Sequence, residues 1–267
     1  MLAIVPFVFA FLLFIPAPYG RHSESGWGPR VSSKVGWLIM EAPASLLMGA
    51  MIFLIPFNPV IFTFFLIWQV HYFHRAFVYP FSLLSKKRMP LIVVVSAVLF
   101  NLVNSFLNGY HFVLHEDWYG PAWLSRWHFT VGAILFGLGY YITKRADSTL
   151  KSLRDRASED YTIPNGFLYR FVSCPNYLGE TLQWFGWALL TLSPAAFLFL
   201  AWTIANLLPR ALSHHRWYLS EFPDYPKNRR AYIPFVLWLS HLSLNPLVLM
   251  KICCLKVTPP LSYWQQE

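Results

Sequence analysis

A single carboxylate, Glu41, interrupts the otherwise apolar stretch from Val35 to Ile55. An acid there is costly whether ionised or protonated, so it must point into a bundle and meet a specific donor. The next apolar stretch, Val60 to Tyr79, carries His71, Tyr72, His74 and Arg75 in its second half. His71 and Arg75 are four residues apart and share a helical face, with Tyr72 adjacent to it. Counted from the turn near Phe57 to Val60, Glu41 lies about 16 residues down one helix and Tyr72 about 12 down the other. At 1.5 Å per residue their depths differ by about 6 Å. A Tyr phenol hydrogen-bonded to a carboxylate away from bulk water is a directed proton donor for a carbonyl oxygen. Two plainer readings stand beside it: a helix-packing hydrogen bond for Glu41, and an interfacial aromatic girdle from Tyr72 to Tyr79. Asn101, Asn104 and Asn108 follow at spacings of three and four and form one stripe, equally suited to joining helices or to touching a ligand.

A second group of residues is basic. Lys144, Arg145, Lys151, Arg154, Arg170, Arg210 and Arg216, with His214 and His215, exceed what membrane topology requires. Arginine forks match phosphate oxygens, so they suit a phosphorylated cofactor; anionic lipid headgroups are the competing occupant. No GxGxxG or GxxxxGK[ST] occurs, which excludes a Rossmann or P-loop cradle. His214-His215 lacks a third ligand at helical spacing, and Cys174, Cys253 and Cys254 have no CxxC spacing, so no metal site is expected.

The elements that must position these residues are membrane helices. Of 267 residues, 56% are hydrophobic, 19% aromatic and only 12% charged; a soluble domain carries about 25% charged residues. The apolar residues fall in blocks too long for one core to bury. The expected fold class is all-α, a polytopic membrane protein with seven transmembrane helices. Their spans are Leu2–Pro18, Val35–Ile55, Val60–Tyr79, Leu91–Leu114, Phe129–Ile142, Leu178–Leu192 and Pro194–Tyr218. The formal charge of +9 is sorted along them. With the N-terminus outside, the basic loops fall on the cytoplasmic side and the opposite side keeps Arg126 beside Glu116 and Asp117. That bias predicts an N-out, C-in arrangement and accounts for the charge with no nucleic acid as partner. The chain reads as one domain over 1–267. Its polar segment 144–177 is a cytoplasmic loop covering the cofactor. Its apolar segment 233–255 is an interfacial or eighth helix, the first favoured by Pro234, His241, Asn245, Pro246 and Lys251.

The chain resembles the membrane-embedded steroid 5-alpha-reductases, the 3-oxo-5-alpha-steroid 4-dehydrogenases. The resemblance runs from about Tyr19 to Phe235, through MEAPS around Glu41, HYFHRAFVYP from His71, N-x-L-G-E from Asn176 to Glu180, and HHRWYLSEFPDYPKNRRAYIPF from His214. It implies a seven-helix fold and NADPH among the cytoplasmic halves of the helices. It implies that Glu41 and Tyr72 hold the 3-keto oxygen of a delta-4 steroid. It maps cofactor contacts onto Asp147, Arg154, Tyr161, Asn176, Glu180, Arg210, His214 and Tyr218, with Arg88 and Trp184 nearby. The sequence departs from the family at Thr143, where members usually have Asn, and at Thr162, where they often have Arg. The expected reaction is NADPH-dependent reduction of a lipid enone by a monomer surrounded by membrane lipids. A polyprenal or other lipid enone is the alternative substrate, and a lipid-binding or transport protein the non-enzymatic alternative. The expected location is the inner membrane of a bacterium, the source favoured by the resemblance, or the endoplasmic reticulum of a eukaryote.

Overall fold

The computed structural model describes residues 2–14, 27–82, 88–156 and 162–234, with the side chains of Phe14 and of residues 154–156 left aside. Within them lie seven α-helices of ten residues or more: α1 (Val5–Phe14), α2 (Ser33–Met51), α3 (Pro59–Phe73), α4 (Leu91–Leu114), α5 (Trp127–Arg156), α6 (Pro175–Thr191) and α7 (Pro194–Glu221). Ser33–Leu54, Leu91–Leu114 and Pro194–Glu221 are long and apolar enough to cross a membrane. Two three-residue strands, β1 (Arg30–Ser32) and β2 (Arg88–Pro90), pair antiparallel with Val31 opposite Met89. They tie the start of α2 to the start of α4.

The helix boundaries follow from local chemistry. Asn58 caps α3, its Oδ1 accepting from Val60 N at 2.9 Å and Ile61 N at 3.2 Å, and Pro59 takes the first position, where a missing N–H costs nothing. The long apolar run after Asn176 divides at Leu192, whose left-handed backbone (φ 48) closes α6. Ser193 then caps α7 through Ala196 N at 3.0 Å ahead of Pro194. The expected tight turn between two helices is therefore a two-residue connection. After Phe73, α3 widens into a π-turn, His74–Val78, before a last helical turn, Tyr79–Ser82. Pro80 has no N–H to give and its ring crowds the carbonyl four residues back, so a wider turn just ahead of it relieves the clash.

The expected fifth span differs most. The Phe129–Ile142 stretch belongs to a helix that continues through Arg156, so the first part of the polar 144–177 segment is helical and not loop. Charged residues mark where a helix leaves hydrocarbon, not where it stops hydrogen-bonding. The 233–255 segment lies outside the described residues apart from Ile233 and Pro234.

Packing is densest between α5 and α6, which touch almost backbone to backbone. A Cβ built on Gly132 would meet Leu190 N at 2.7 Å, and one on Gly179 would meet Thr143 N at 2.7 Å; Gly139 and Gly186 are as closely opposed by Gln183 and Phe136. α2 packs on α3 and α4, and α7 on α6 and α1. The centre is aromatic: Trp68 lies 5.7 Å from Trp184 and 5.2 Å from Trp187, and Trp184 lies 4.3 Å from Phe199. Polarity is inverted relative to a soluble bundle. Asn101, Asn104, Asn108 and Gln183 are buried while Phe53 is 88% and Phe7 75% exposed, an outer surface suited to hydrocarbon.

Candidate active site

Three hydrogen bonds set the register of α2 against α3. Trp68 Nε1 donates to the Ala44 carbonyl at 3.0 Å, and Ser45 Oγ donates to Gln69 Oε1 at 2.6 Å while Gln69 Nε2 returns a bond to the Ser45 carbonyl at 2.9 Å. One turn further along these antiparallel helices Glu41 comes opposite Tyr72. Residue counting from the turn gives depths about 6 Å apart, within side-chain reach.

The expected bond between them is not made. Among the described residues Glu41 is held instead by Arg75, whose Nε lies 3.3 Å from Oε1, and by Asn101, whose Nδ2 donates to Oε2 at 3.3 Å and to the Met40 carbonyl at 2.7 Å. Arg75 is three residues beyond Tyr72 on the same helix, and a guanidinium is a better partner for a buried carboxylate than a phenol. Its Nη2 lies 3.9 Å from Glu180 Oε2, and its plane sits over Trp37 at 4.8 Å. A chain of charges, Glu41–Arg75–Glu180, thus crosses the bundle from α2 through the π-turn to α6.

Tyr72 sits beside this chain, 3% exposed and packed on Trp68 (4.6 Å) and Trp184 (5.7 Å). Its neighbour His71 meets Gln183 Nε2 through Nδ1 at 3.0 Å. A donating Gln183 requires the tautomer with hydrogen on the other ring nitrogen. Further along the helix, His74 Nδ1 receives Lys144 Nζ at 2.8 Å, and Lys144 also lies over Tyr140. Lys144 stands beyond the apolar part of α5. Burial holds its ammonium down at about 8, with Arg75 adding to the push and Asp147 and Glu180 opposing it. Asp147, one turn on, is raised above the usual carboxylate range by burial against the pull of Arg75 and Lys144, and accepts from Asn176 Nδ2 at 3.3 Å.

The remaining expected contacts gather near one end. Asn176 and Glu180 lie on the first turns of α6, with Trp184 one turn further into the core. Arg210, His214 and Tyr218 lie one turn apart on α7; Arg210 is 6% exposed, His214 Nε2 meets Tyr177 OH at 3.2 Å, and Tyr218 stacks on Tyr225 at 5.1 Å. Thr143, at a position of departure from the family, donates to the carbonyls of Gly139 (3.0 Å) and Asn176 (3.2 Å) and so serves the α5–α6 contact. Arg88 is exposed at the β2 edge. Tyr161 and the Arg154 side chain lie outside the described residues.

Arg75, Asn101 and Gln183 are site residues that sequence reasoning did not assign. Arg75 carried a usable signal: an arginine three residues after Tyr72 in an apolar run must find carboxylates, and Glu41 and Glu180 are two of the few available.

Fold and site together define the class: an all-α bundle of membrane type, apolar outside, with a buried phenol beside an internal chain of acid and guanidinium groups. Comparison with known proteins agrees. A family profile described as 3-oxo-5-alpha-steroid 4-dehydrogenase matches residues 87–237. The chain is 38% identical over 237 residues to the steroid 5-alpha-reductase DET2 of Arabidopsis thaliana, covering 84% of this chain and 89% of that one. It is 37% identical over 227 residues to 3-oxo-5-alpha-steroid 4-dehydrogenase 2 of Rattus norvegicus and 36% to that of Homo sapiens, in each case over 83% of this chain and 88% of the relative. The chain belongs to the steroid 5-alpha-reductase family of oxidoreductases.

Proposed function

We propose that this protein reduces the delta-4 double bond of a 3-oxo steroid with NADPH. The observation that carries the reading is the buried Tyr72 phenol, set level with Glu41 in a family whose relatives are named for 3-oxo-5-alpha-steroids. When a conjugated enone accepts hydride at its β carbon, negative charge develops on the ketone oxygen. Tyr72 donates a hydrogen bond to that oxygen as the charge grows, in a site walled from water by Trp68 and Trp184. Glu41, fixed by Arg75 and Asn101, sets the field around the phenol, and the α carbon then takes a proton from solvent or through a relay.

NADPH, when bound, supplies the hydride. The donor set at the α6–α7 end fits it in kind. Arg210 offers a fork for phosphate, His214 and Tyr218 offer ring and hydroxyl donors, and Asp147, Asn176 and Glu180 offer partners for ribose hydroxyls and a carboxamide. Arg154, Tyr161 and Arg88 complete the proposed set. The polar segment 144–177 covers that end, and Lys144, Arg145, Lys151 and Arg170 place it in the cytoplasm under the positive-inside rule. The apolar stretches read as seven crossings, and the same rule orients them with the N-terminus outside and the C-terminus inside. The protein acts as a monomer in the bacterial inner membrane or the endoplasmic reticulum.

The test is purification in mild detergent followed by NADPH oxidation with an androst-4-en-3-one. Tyr72→Phe lowers the single-turnover rate by about 100-fold, the usual effect of removing one oxyanion donor, with nucleotide affinity unchanged. Turnover within about threefold of wild type excludes Tyr72 as the principal donor. Protein that retains no nucleotide and reduces no enone is a lipid-binding or transport protein instead.

A further inference from the structure

Between α2 and α3, on the side of the pair turned away from the aromatic core, lies a cleft of about 890 Å³. Ala44 and Trp68, both fully buried, close the core side of the seam between the two helices, and Ser45 and Gln69 line the cleft side. The α3 wall is aromatic: Phe62 lies 6.0 Å from Phe57 and 5.9 Å from Phe65, and beyond Gln69 the Phe73 ring lies 5.2 Å from Phe77. The α2 wall is Leu46, 64% exposed, and Gly49, which presents bare main chain. In a bundle of membrane type such a cleft opens to hydrocarbon and not to water.

Gln69 stands near the middle of the helical run Pro59–Ser82, where an amide facing hydrocarbon is costly. The Ser45 main-chain oxygen can only accept, so the Gln69 atom 2.9 Å from it is the nitrogen, and the orientation of the amide is fixed. That bond takes one of the two N–H hydrogens, and Ser45 Oγ at 2.6 Å takes one of the two lone pairs on Oε1. Among the described residues nothing takes the second hydrogen. The space beside the nitrogen is open: a Cβ built on Gly49 meets Gln69 Nε2 at 3.7 Å and no other neighbour within 4 Å. A donor with room beside it, in a place that water does not reach, calls for an acceptor brought by a ligand.

We propose that the cleft is a second, membrane-facing binding site, separate from the catalytic centre, for a rigid polycyclic lipid whose ketone oxygen accepts from Gln69 Nε2 beside Gly49. The occupant is the 3-oxo steroid as it is dissolved in the bilayer, an identification that rests on the enone reduction proposed above. Three features select it. The unused group is a donor, so it matches a ketone oxygen. Walls of phenylalanine and bare glycine suit a fused-ring body, which has no rotamer freedom to lose on binding, over a phospholipid chain, which has much. The two sites also share their helices: Gln69 precedes Tyr72 by about one turn and Ser45 follows Glu41 by about one turn, with the Trp68–Ala44 seam between. No bond is made or broken in the cleft; it holds steroid drawn laterally from the membrane.

The experiment is photoaffinity labelling of the full chain in phosphatidylcholine nanodiscs with an androst-4-en-3-one that carries a diazirine on its D ring, followed by peptide mapping. Wild type is labelled at the cleft residues Leu46, Phe62 or Phe65, and Tyr72→Phe leaves that label unchanged. Gly49→Leu fills the room beside Gln69 without touching the Ser45–Gln69 pair and lowers the label at least tenfold. Leu46→Trp fills the cleft from its other wall, lowers the label at Phe62 and Phe65 to the same extent, and serves if Gly49→Leu does not fold. Gly49→Ala, whose methyl stays in ordinary contact with Gln69, keeps the label. Unlabelled androst-4-en-3-one competes about tenfold better than androst-4-ene, which lacks the oxygen, as expected of one hydrogen bond. Label unchanged in both filled variants, or equal competition by ketone and hydrocarbon, overturns the site while leaving enone reduction intact. Stronger competition by cholesterol than by the ketone gives the cleft to a membrane sterol and overturns the assignment to the 3-oxo steroid. A wild-type protein that neither takes label from the steroid nor reduces it overturns both.

Discussion

The Arg75 guanidinium holds together groups from three helices: Glu41 of α2 at 3.3 Å, Glu180 of α6 at 3.9 Å, and the face of Trp37 at 4.8 Å. Removing one member of such a set leaves the others charged and buried, which costs about 3–5 kcal/mol when no group of similar polarity replaces it. Glu41→Leu falls in that range, because Arg75 and Asn101 both lose an acceptor. Glu41→Gln keeps an oxygen for Asn101 or Arg75 and costs roughly half as much, yet it lacks the charge that sets the field at Tyr72. The expectation is a larger fall in detergent melting temperature for Leu than for Gln, with slow reduction in both. Full activity in the Leu variant would assign Glu41 to helix packing alone. Counting from a turn brings Glu41 and Tyr72 within about 6 Å in depth. The partner choice was legible only in that Arg75 must find a carboxylate; that Glu180 shares it was not, because Glu180 approaches from a helix that residue spacing along α2 and α3 says nothing about.

Between elements, the tightest contact rests on four glycines. Gly132 and Gly139 on α5, and Gly179 and Gly186 on α6, are each seven residues apart, so each pair falls on one face, and at each glycine the main chain of the facing helix comes close. Gly139→Ala places a methyl against the main chain of α6, which cannot yield as a side-chain tip would. Overpacking of this kind costs about 1–3 kcal/mol. A methyl added at Gly137, two residues away on the same helix, meets nothing within 4 Å. Gly137→Ala is therefore neutral or stabilising by up to about 1 kcal/mol, because alanine favours helix. Thermal unfolding of the two variants in one detergent separates them. Equal melting temperatures would mean that α5 and α6 do not approach as closely as described. Hydropathy located α4 to the residue and found the division at Pro194. It ended the α5 span at Ile142 because it measures transfer into hydrocarbon, whereas the helix runs on to Arg156 on backbone hydrogen bonds that need no hydrocarbon. The glycine faces were equally present in the sequence, but their pairing shows only once the two helices are laid antiparallel.

Across the whole molecule, charge is sorted as sharply as polarity. Arg126 stacks on Trp123 near Glu116 and Asp117, whereas Lys144, Arg145, Arg170, Arg210, Arg216 and Arg229 belong to the end that holds Asp147 and Asn176. A basic end serves topology, lipid headgroups and a phosphorylated cofactor alike, and burial tells these apart. Headgroups and the positive-inside effect act on exposed charge; a nucleotide phosphate is worth most to an arginine already withdrawn from water. Arg210 is buried and Lys151 is exposed, so the two make a matched test. Arg210→Ala raises the NADPH dissociation constant at least tenfold, because a charge-assisted hydrogen bond contributes about 1.5–3 kcal/mol. Lys151→Ala changes it less than twofold, and what change there is vanishes at high salt. Nucleotide is titrated into each variant at two ionic strengths, with unfolding followed separately, since loss of a buried arginine that collapsed the bundle would abolish binding for a different reason. Equal, small and salt-sensitive effects at both positions would give the basic end to lipid headgroups and move the cofactor contacts away from α7.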